Sequence, residues 1–70
     1  MRLRINGELK LLELKEGNQS LLAVINRIGY DPRTIVVEFN GLILRSNEWR
    51  DQQVKEGDVI EIVTIVGGGS

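Results

Sequence analysis

Leu3 and Ile5 alternate with Arg2 and Arg4 at the start of the chain, the period of two that marks a half-buried strand. Asn6-Gly7 follows, and because both residues tolerate positive φ the pair predicts a type I′ hairpin turn. A returning strand is expected over 8–14. Its apolar positions change phase between Leu11 and Leu12, which predicts a bulge or an edge irregularity. Beyond Lys15-Glu16-Gly17 the period lengthens. Asn18 suits a helix N-cap, and Leu21, Leu22, Val24, Ile25 and Ile28 form one apolar stripe at helical spacing. Gly29 is placed to end that helix in a left-handed cap, and Pro32 opposes its resumption. A helix of about ten residues is marginal by itself, so a sheet must cover it.

The second half returns to the strand period. Thr34 to Phe39 is rich in β-branched residues and reads as a strand. Asn40-Gly41 repeats the hairpin signal and leads into the short segment Leu42-Ile43-Leu44. Residues 46–53 are polar except for Trp49 and read as a helical turn or irregular loop, with Trp49 plugging one end of the core. Residues 54–58 form a turn, and Val59 to Val66 is the last strand. One helix against four to five strands is a two-layer α+β arrangement. A leading hairpin, a crossing helix and a closing strand are the parts of a β-grasp (ubiquitin-like) fold. Its mixed sheet would hold the first and last strands parallel at the centre.

Composition narrows the chemistry. Seventy residues make one small domain that buries about 60% of its unfolded surface, so stability is limited. There is no cysteine and no histidine, which removes the disulfide, the thiolate ligand, the cysteine nucleophile and the usual neutral-pH base. A self-contained hydrolase or metalloenzyme is therefore not expected. Nine basic residues against ten acidic ones give a net charge of −1, with no electrostatic reason to expect nucleic acid. No apolar run reaches the roughly 20 residues that span a bilayer, and the N-terminus does not open as a signal peptide. No membrane association and a cytoplasmic location are expected.

The last strand stops abruptly at Gly67-Gly68-Gly69, followed by Ser70. The expected division is a domain over 1–66 and a flexible glycine-rich tail over 67–70. From Val66 to Gly69 an extended chain reaches about 13 Å. Glycines give a ribbon thin enough to thread a channel that excludes side chains. A linker or a frayed end has the same composition, so the tail alone leaves both readings open.

Several features occur in order within this short chain. Phe39-Asn40-Gly41 leads to Arg45 and then Trp49, the run Glu56 to Val63 follows, and Val66-Gly67-Gly68-Gly69 closes the set. With the opening Asn6-Gly7 hairpin and the helix, this set resembles the ThiS family of sulfur carriers of thiamin biosynthesis. The resemblance implies that the chain is not an enzyme but a co-substrate of partner enzymes. The carboxylate of Gly69 would be adenylated with ATP by an adenylating (E1-like) enzyme. Sulfur from a donor such as a cysteine desulfurase would then displace AMP, and the resulting thiocarboxylate would serve thiazole synthase. Gly67 and Gly68 would thread the partner site. No cofactor bound by the carrier itself is implied, ATP being used by the partner. An α-carboxyl group with pKa about 3.3–3.7 is ionised at neutral pH, as the first step needs.

Ser70 departs from the family pattern, in which the chain finishes on glycine. Adenylation of Gly69 would require Ser70 to be removed, or to be an addition made in cloning. Alternation along the last strand places Ile60, Ile62 and Val66 with the helix and turns Glu61, Val63 and Ile65 the other way. Val63, Ile65 and Val66 beside the tail are the candidate partner surface, Val36 extending it, unless a loop or Trp49 covers them. Other carriers with this fold and a glycine end remain alternatives, namely the molybdopterin-synthase small subunit and the ubiquitin-like modifiers. A non-covalent β-grasp interaction module is a third.

Overall fold

The computed structural model describes residues 1–65. The elements are β1 (Arg2–Ile5), β2 (Glu8–Leu11), α1 (Leu21–Ile28), β3 (Ile35–Phe39), β4 (Leu42–Leu44) and β5 (Val59–Thr64), with single 3₁₀ turns at Pro32–Thr34 and Ser46–Glu48. The five strands form one sheet in the order β2-β1-β5-β3-β4. β1 and β5 are parallel at the centre, and the other pairings are antiparallel. This is the β-grasp arrangement expected from the sequence, with α1 lying across one face.

Both Asn-Gly turns form as expected. Asn6 and Asn40 hold φ of 52° and 49°, and Gly7 and Gly41 follow at 81° and 87°. Such turns match the right-handed twist of the strands they join. Gly29 caps α1 at φ 103°, and its N–H donates to the Ile25 carbonyl. The core joins Leu3 and Ile5, Leu21, Val24 and Ile25, and Ile60 and Ile62 from three successive parts of the chain. Trp49 closes one end of that core at 1% exposure, its Nε1–H donating to the Leu44 carbonyl at 3.0 Å. Its role as a plug stands.

Four local expectations are corrected. The helix N-cap is Ser20 rather than Asn18, and its Oγ accepts from the Ala23 N–H at 3.1 Å. The cause is a tie across the molecule that no local pattern shows. Ser20 bridges Gln53, the Leu21 N–H donates to the Gln52 carbonyl, and the Leu22 N–H donates to that of Trp49. These bonds keep the chain extended to Ser20 and satisfy the first helical amides. The second strand ends at Leu11, and no bulge interrupts its register from Arg2↔Leu11 to Ile5↔Glu8. The apparent phase change arises because apolar residues occupy both faces: Leu9 and Leu11 are exposed on one, Leu12 and Leu14 half-buried on the other. Thr34 belongs to the 3₁₀ turn, where its Oγ1 donates to the Asp31 carbonyl. Finally, the last strand ends at Thr64, and Val66 lies outside the described residues.

Candidate functional site

β5 carries the expected site, so what fixes β5 fixes the root of the tail. Its register pairs Ile5 with Ile60 on one side and Ile35 with Thr64 on the other. β5 therefore outruns β1, and at that point a side chain takes over from the ladder. The Asn6 Oδ1 accepts from the Ile62 N–H at 2.7 Å, while the Asn6 N–H donates to the Ile60 carbonyl. At the other end of β5, the Asn40 Oδ1 accepts from the Val59 N–H at 2.8 Å and the Asn40 N–H donates to the Val59 carbonyl. The Asn40 Nδ2 also donates to Asp58, a nearly buried carboxylate that accepts from the Lys55 N–H through its other oxygen. The residues chosen for turn geometry thus also clamp the central strand. The Ile65 N–H then donates to the Thr34 carbonyl, holding the chain against the β3 side as it leaves the sheet.

The predicted Gly67, Gly68 and Gly69, with Val66, lie outside the described residues. Val63 and Ile65 are placed as expected, 63% and 52% exposed. Among the described residues, neither Trp49 nor a loop covers them. Val36 sits directly opposite Val63 in the β3–β5 ladder and is exposed as well. Register extends the patch further than the sequence indicated. Ile43 lies opposite Glu38 on the same side, and Leu9 and Leu11 lie opposite Arg4 and Arg2. The face of the sheet away from α1 therefore carries a broad run of exposed apolar side chains. Single exposed apolar residues are ordinary, whereas a grouped set of them makes this face the candidate contact surface.

Charge on this face is unevenly distributed. Glu38 and Glu61 stand directly opposite one another between Val36–Val63 and Val59. Arg2 lies at the far side, with its Nε donating to Glu56 at 2.7 Å. The Glu56 carboxyl is held below its ordinary value, first by the Arg2 backbone N–H and then by the guanidinium. Sequence reasoning missed the Glu38–Glu61 pairing and the two asparagine clamps. Strict alternation contained the signal for the first, once the register was known. Nothing local carried the second.

Comparison with known proteins identifies the kin of this arrangement. The model of the ThiS family matches residues 3–69, nearly the whole chain. The chain belongs to the ThiS family. Two solved structures share its fold, both of a thiamine biosynthesis protein from Geobacter metallireducens. The crystal structure, of ThiS, is 26% identical with a TM-score of 0.80, covering 99% of this chain and 100% of that one. The solution structure is 25% identical with a TM-score of 0.78, covering 100% of this chain and 90% of that one. Among curated proteins, a thiazole synthase of Paramagnetospirillum magneticum is 34% identical over 70 residues, all of this chain and 21% of that protein. An uncharacterized protein, ycf40, of Trieres chinensis is 37% identical over 46 residues, 66% of this chain and 63% of that protein. The ThiS-like chain thus spans about a fifth of the thiazole synthase and under two thirds of that ycf40 protein. Membership of the ThiS family supports a sulfur-carrier role.

Proposed function

We propose that this chain is the sulfur carrier of thiazole formation in thiamin biosynthesis, acting through the carboxylate of Gly69 after Ser70 is removed. A carboxylate oxygen of Gly69 attacks the α-phosphorus of ATP on an adenylating enzyme, and pyrophosphate leaves. The terminal sulfur of a persulfide on a donor protein attacks the carbonyl of the acyl-adenylate and AMP leaves. A thiol then cleaves the S–S bond of the acyl disulfide so formed, becoming a disulfide itself and releasing the thiocarboxylate. Thiazole synthase takes the sulfur and the carboxylate is regenerated. The carrier contributes placement, and the partners contribute the groups that activate and orient the reactants. Gly67 and Gly68 run through the partner site, and Val63, Ile65 and Val66 meet the partner's rim.

The observation that carries this reading is the family match, which runs through the glycine tail to residue 69. The strong clamping of β5 supports it, because a tail can be delivered accurately only from a fixed root. Thiazole synthase as acceptor is supported by the relative of that name, which contains a segment similar to this entire chain. Intact-mass analysis tests the reading. The chain ending at Gly69 is incubated with ATP, a sulfur source and the adenylating enzyme. Exchange of one terminal oxygen for sulfur is expected, and the chain retaining Ser70 should stay unmodified. An unchanged mass for the Gly69-ended chain with an active adenylating enzyme would refute it.

A further inference from the structure

We infer that the opposed carboxylates Glu38 and Glu61 receive a guanidinium from thiazole synthase when that enzyme covers the open face of the sheet. This rests on the function proposed above and specifies the chemistry of one partner. The two residues are directly opposite in the β3–β5 register. Like charges so placed repel and weaken the sheet that holds them. Among the described residues no cation forms an ion pair with either of them. The ion pairs among the described residues are Arg2–Glu56, Lys10–Glu8 and Arg33–Asp31, and 66–70 contain no basic side chain. Of the arginines on β1, Arg2 is held by Glu56 and Arg4 donates to the Gly7 carbonyl.

The surroundings make the pair more demanding still. Val36 and Val63 lie on one side, Val59 on another, and Ile43 beside Glu38. All four are exposed on the same face. A partner that covers these apolar groups also strips water from both carboxylates. Burying two like charges is strongly unfavourable unless a cation arrives with the partner. A guanidinium suits the place better than an ammonium, since its planar fork can donate to both carboxylates at once and its weaker hydration costs less to remove. The relative in which thiazole synthase and a segment similar to this whole chain share one polypeptide makes that enzyme the occupant to expect.

Affinity of the full chain for thiazole synthase, measured by calorimetry at low and high salt, tests the assignment against Glu38→Gln, Glu61→Gln and the double variant. The double variant should bind about tenfold or more weakly at low salt and lose most of the salt dependence seen with the parent. Its denaturation midpoint should stay level or rise, because the repulsion is gone. That opposition of sign separates docking from a structural role. Unchanged affinity and salt dependence in the double variant overturn the inference and leave the carrier reading intact. So does a loss of affinity matched by a loss of stability. A parent chain that is charged with sulfur yet never binds thiazole synthase overturns the inference together with the choice of acceptor. If the adenylating enzyme alone responds to the substitutions, thiazole synthase is again the wrong occupant.

Discussion

The two faces of the sheet are made by the same strands and meet opposite fates. On the side of α1, Leu3, Ile5, Val37, Ile60 and Ile62 are buried against Leu21, Val24 and Ile25. On the other, Val36, Val59 and Val63 alternate with carboxylates and stay in contact with solvent. Residue type does not distinguish the two: valine and isoleucine occur on both. What distinguishes them is the single helix, which can cover only one face. The second apolar face has no cover among the described residues, and the contact surface proposed above accounts for its hydrophobicity. Substitutions on the two faces should accordingly differ in stability, in partner affinity, or in both.

The largest effect is expected where the covered face is closed off. Trp49→Ala removes the largest buried side chain and its bond to the Leu44 carbonyl, and should cost about 3–5 kcal/mol. For a chain of this length total stability is on the order of 4–10 kcal/mol, so the variant should be substantially unfolded at moderate urea. Far-UV circular dichroism during urea titration measures this. A midpoint close to that of the parent would mean that the core tolerates an open end.

Neighbours on β5 give the most direct test of the difference between faces. Ile62→Ala should destabilise by about 2–5 kcal/mol, whereas Val63→Ala, one residue along, should stay within about 0.5 kcal/mol. The same denaturation measurement serves for both. Equal losses would show that the exposed face contributes to folding after all. Val63→Ala is instead expected to weaken partner binding, the property that the proposed contact surface makes sensitive.

This difference was partly legible in the residues. Alternation assigned Ile60 and Ile62 to one face and Glu61, Val63 and Ile65 to the other without knowledge of neighbours, because side chains on a strand alternate by geometry. The hairpin turns and the buried Trp49 were legible for similar reasons, since short-range dihedral preference and gross hydrophobicity decide them, whereas the parallel central strands followed only from the β-grasp arrangement that the order of elements implied. What stayed hidden depends on contacts between distant segments. Asn18 and Ser20 are both acceptable caps. Only the bonds from 49–54 to 19–22 select Ser20. Glu38 and Glu61 are twenty-three positions apart, and only register brings them opposite. Leu11 and Leu12 suggested a bulge because a strand carrying apolar residues on both faces imitates a slipped one.

The clamps offer a smaller but sharper probe. Asn40 and Asn6 sit at equivalent hairpin positions and each accepts from a backbone N–H of β5, but only Asn40 also bonds the nearly buried Asp58. Asn40→Ala should therefore cost about 1–3 kcal/mol, since it leaves buried polar groups short of partners. It also places a Cβ-bearing residue with no local hydrogen bond at positive φ. Asn6→Ala should cost less. Asn40→Gly relieves the dihedral penalty alone, so a full recovery of stability in that variant would assign the effect to the turn and remove the clamp from the account.

The Arg2–Glu56 pair at the edge of the open face should give the smallest effect, and its sign is fixed. The Glu56 carboxyl is lowered from an ordinary value of 4.5 by hydrogen bonds from Arg2. A carboxyl lowered in the folded state contributes stability above its unfolded value and loses it as pH falls through the folded value. The stability gap between the parent and Glu56→Gln should therefore be present at neutral pH and close on acidification below about 4.5. The solvent-exposed setting of both side chains keeps the gap small and sensitive to salt. Thermal melts of both chains at pH 7 and pH 3, each at low and high salt, follow it. A gap that persists unchanged at pH 3 would mean that it does not arise from the ionised carboxylate, and that the Arg2–Glu56 ion pair contributes nothing to stability.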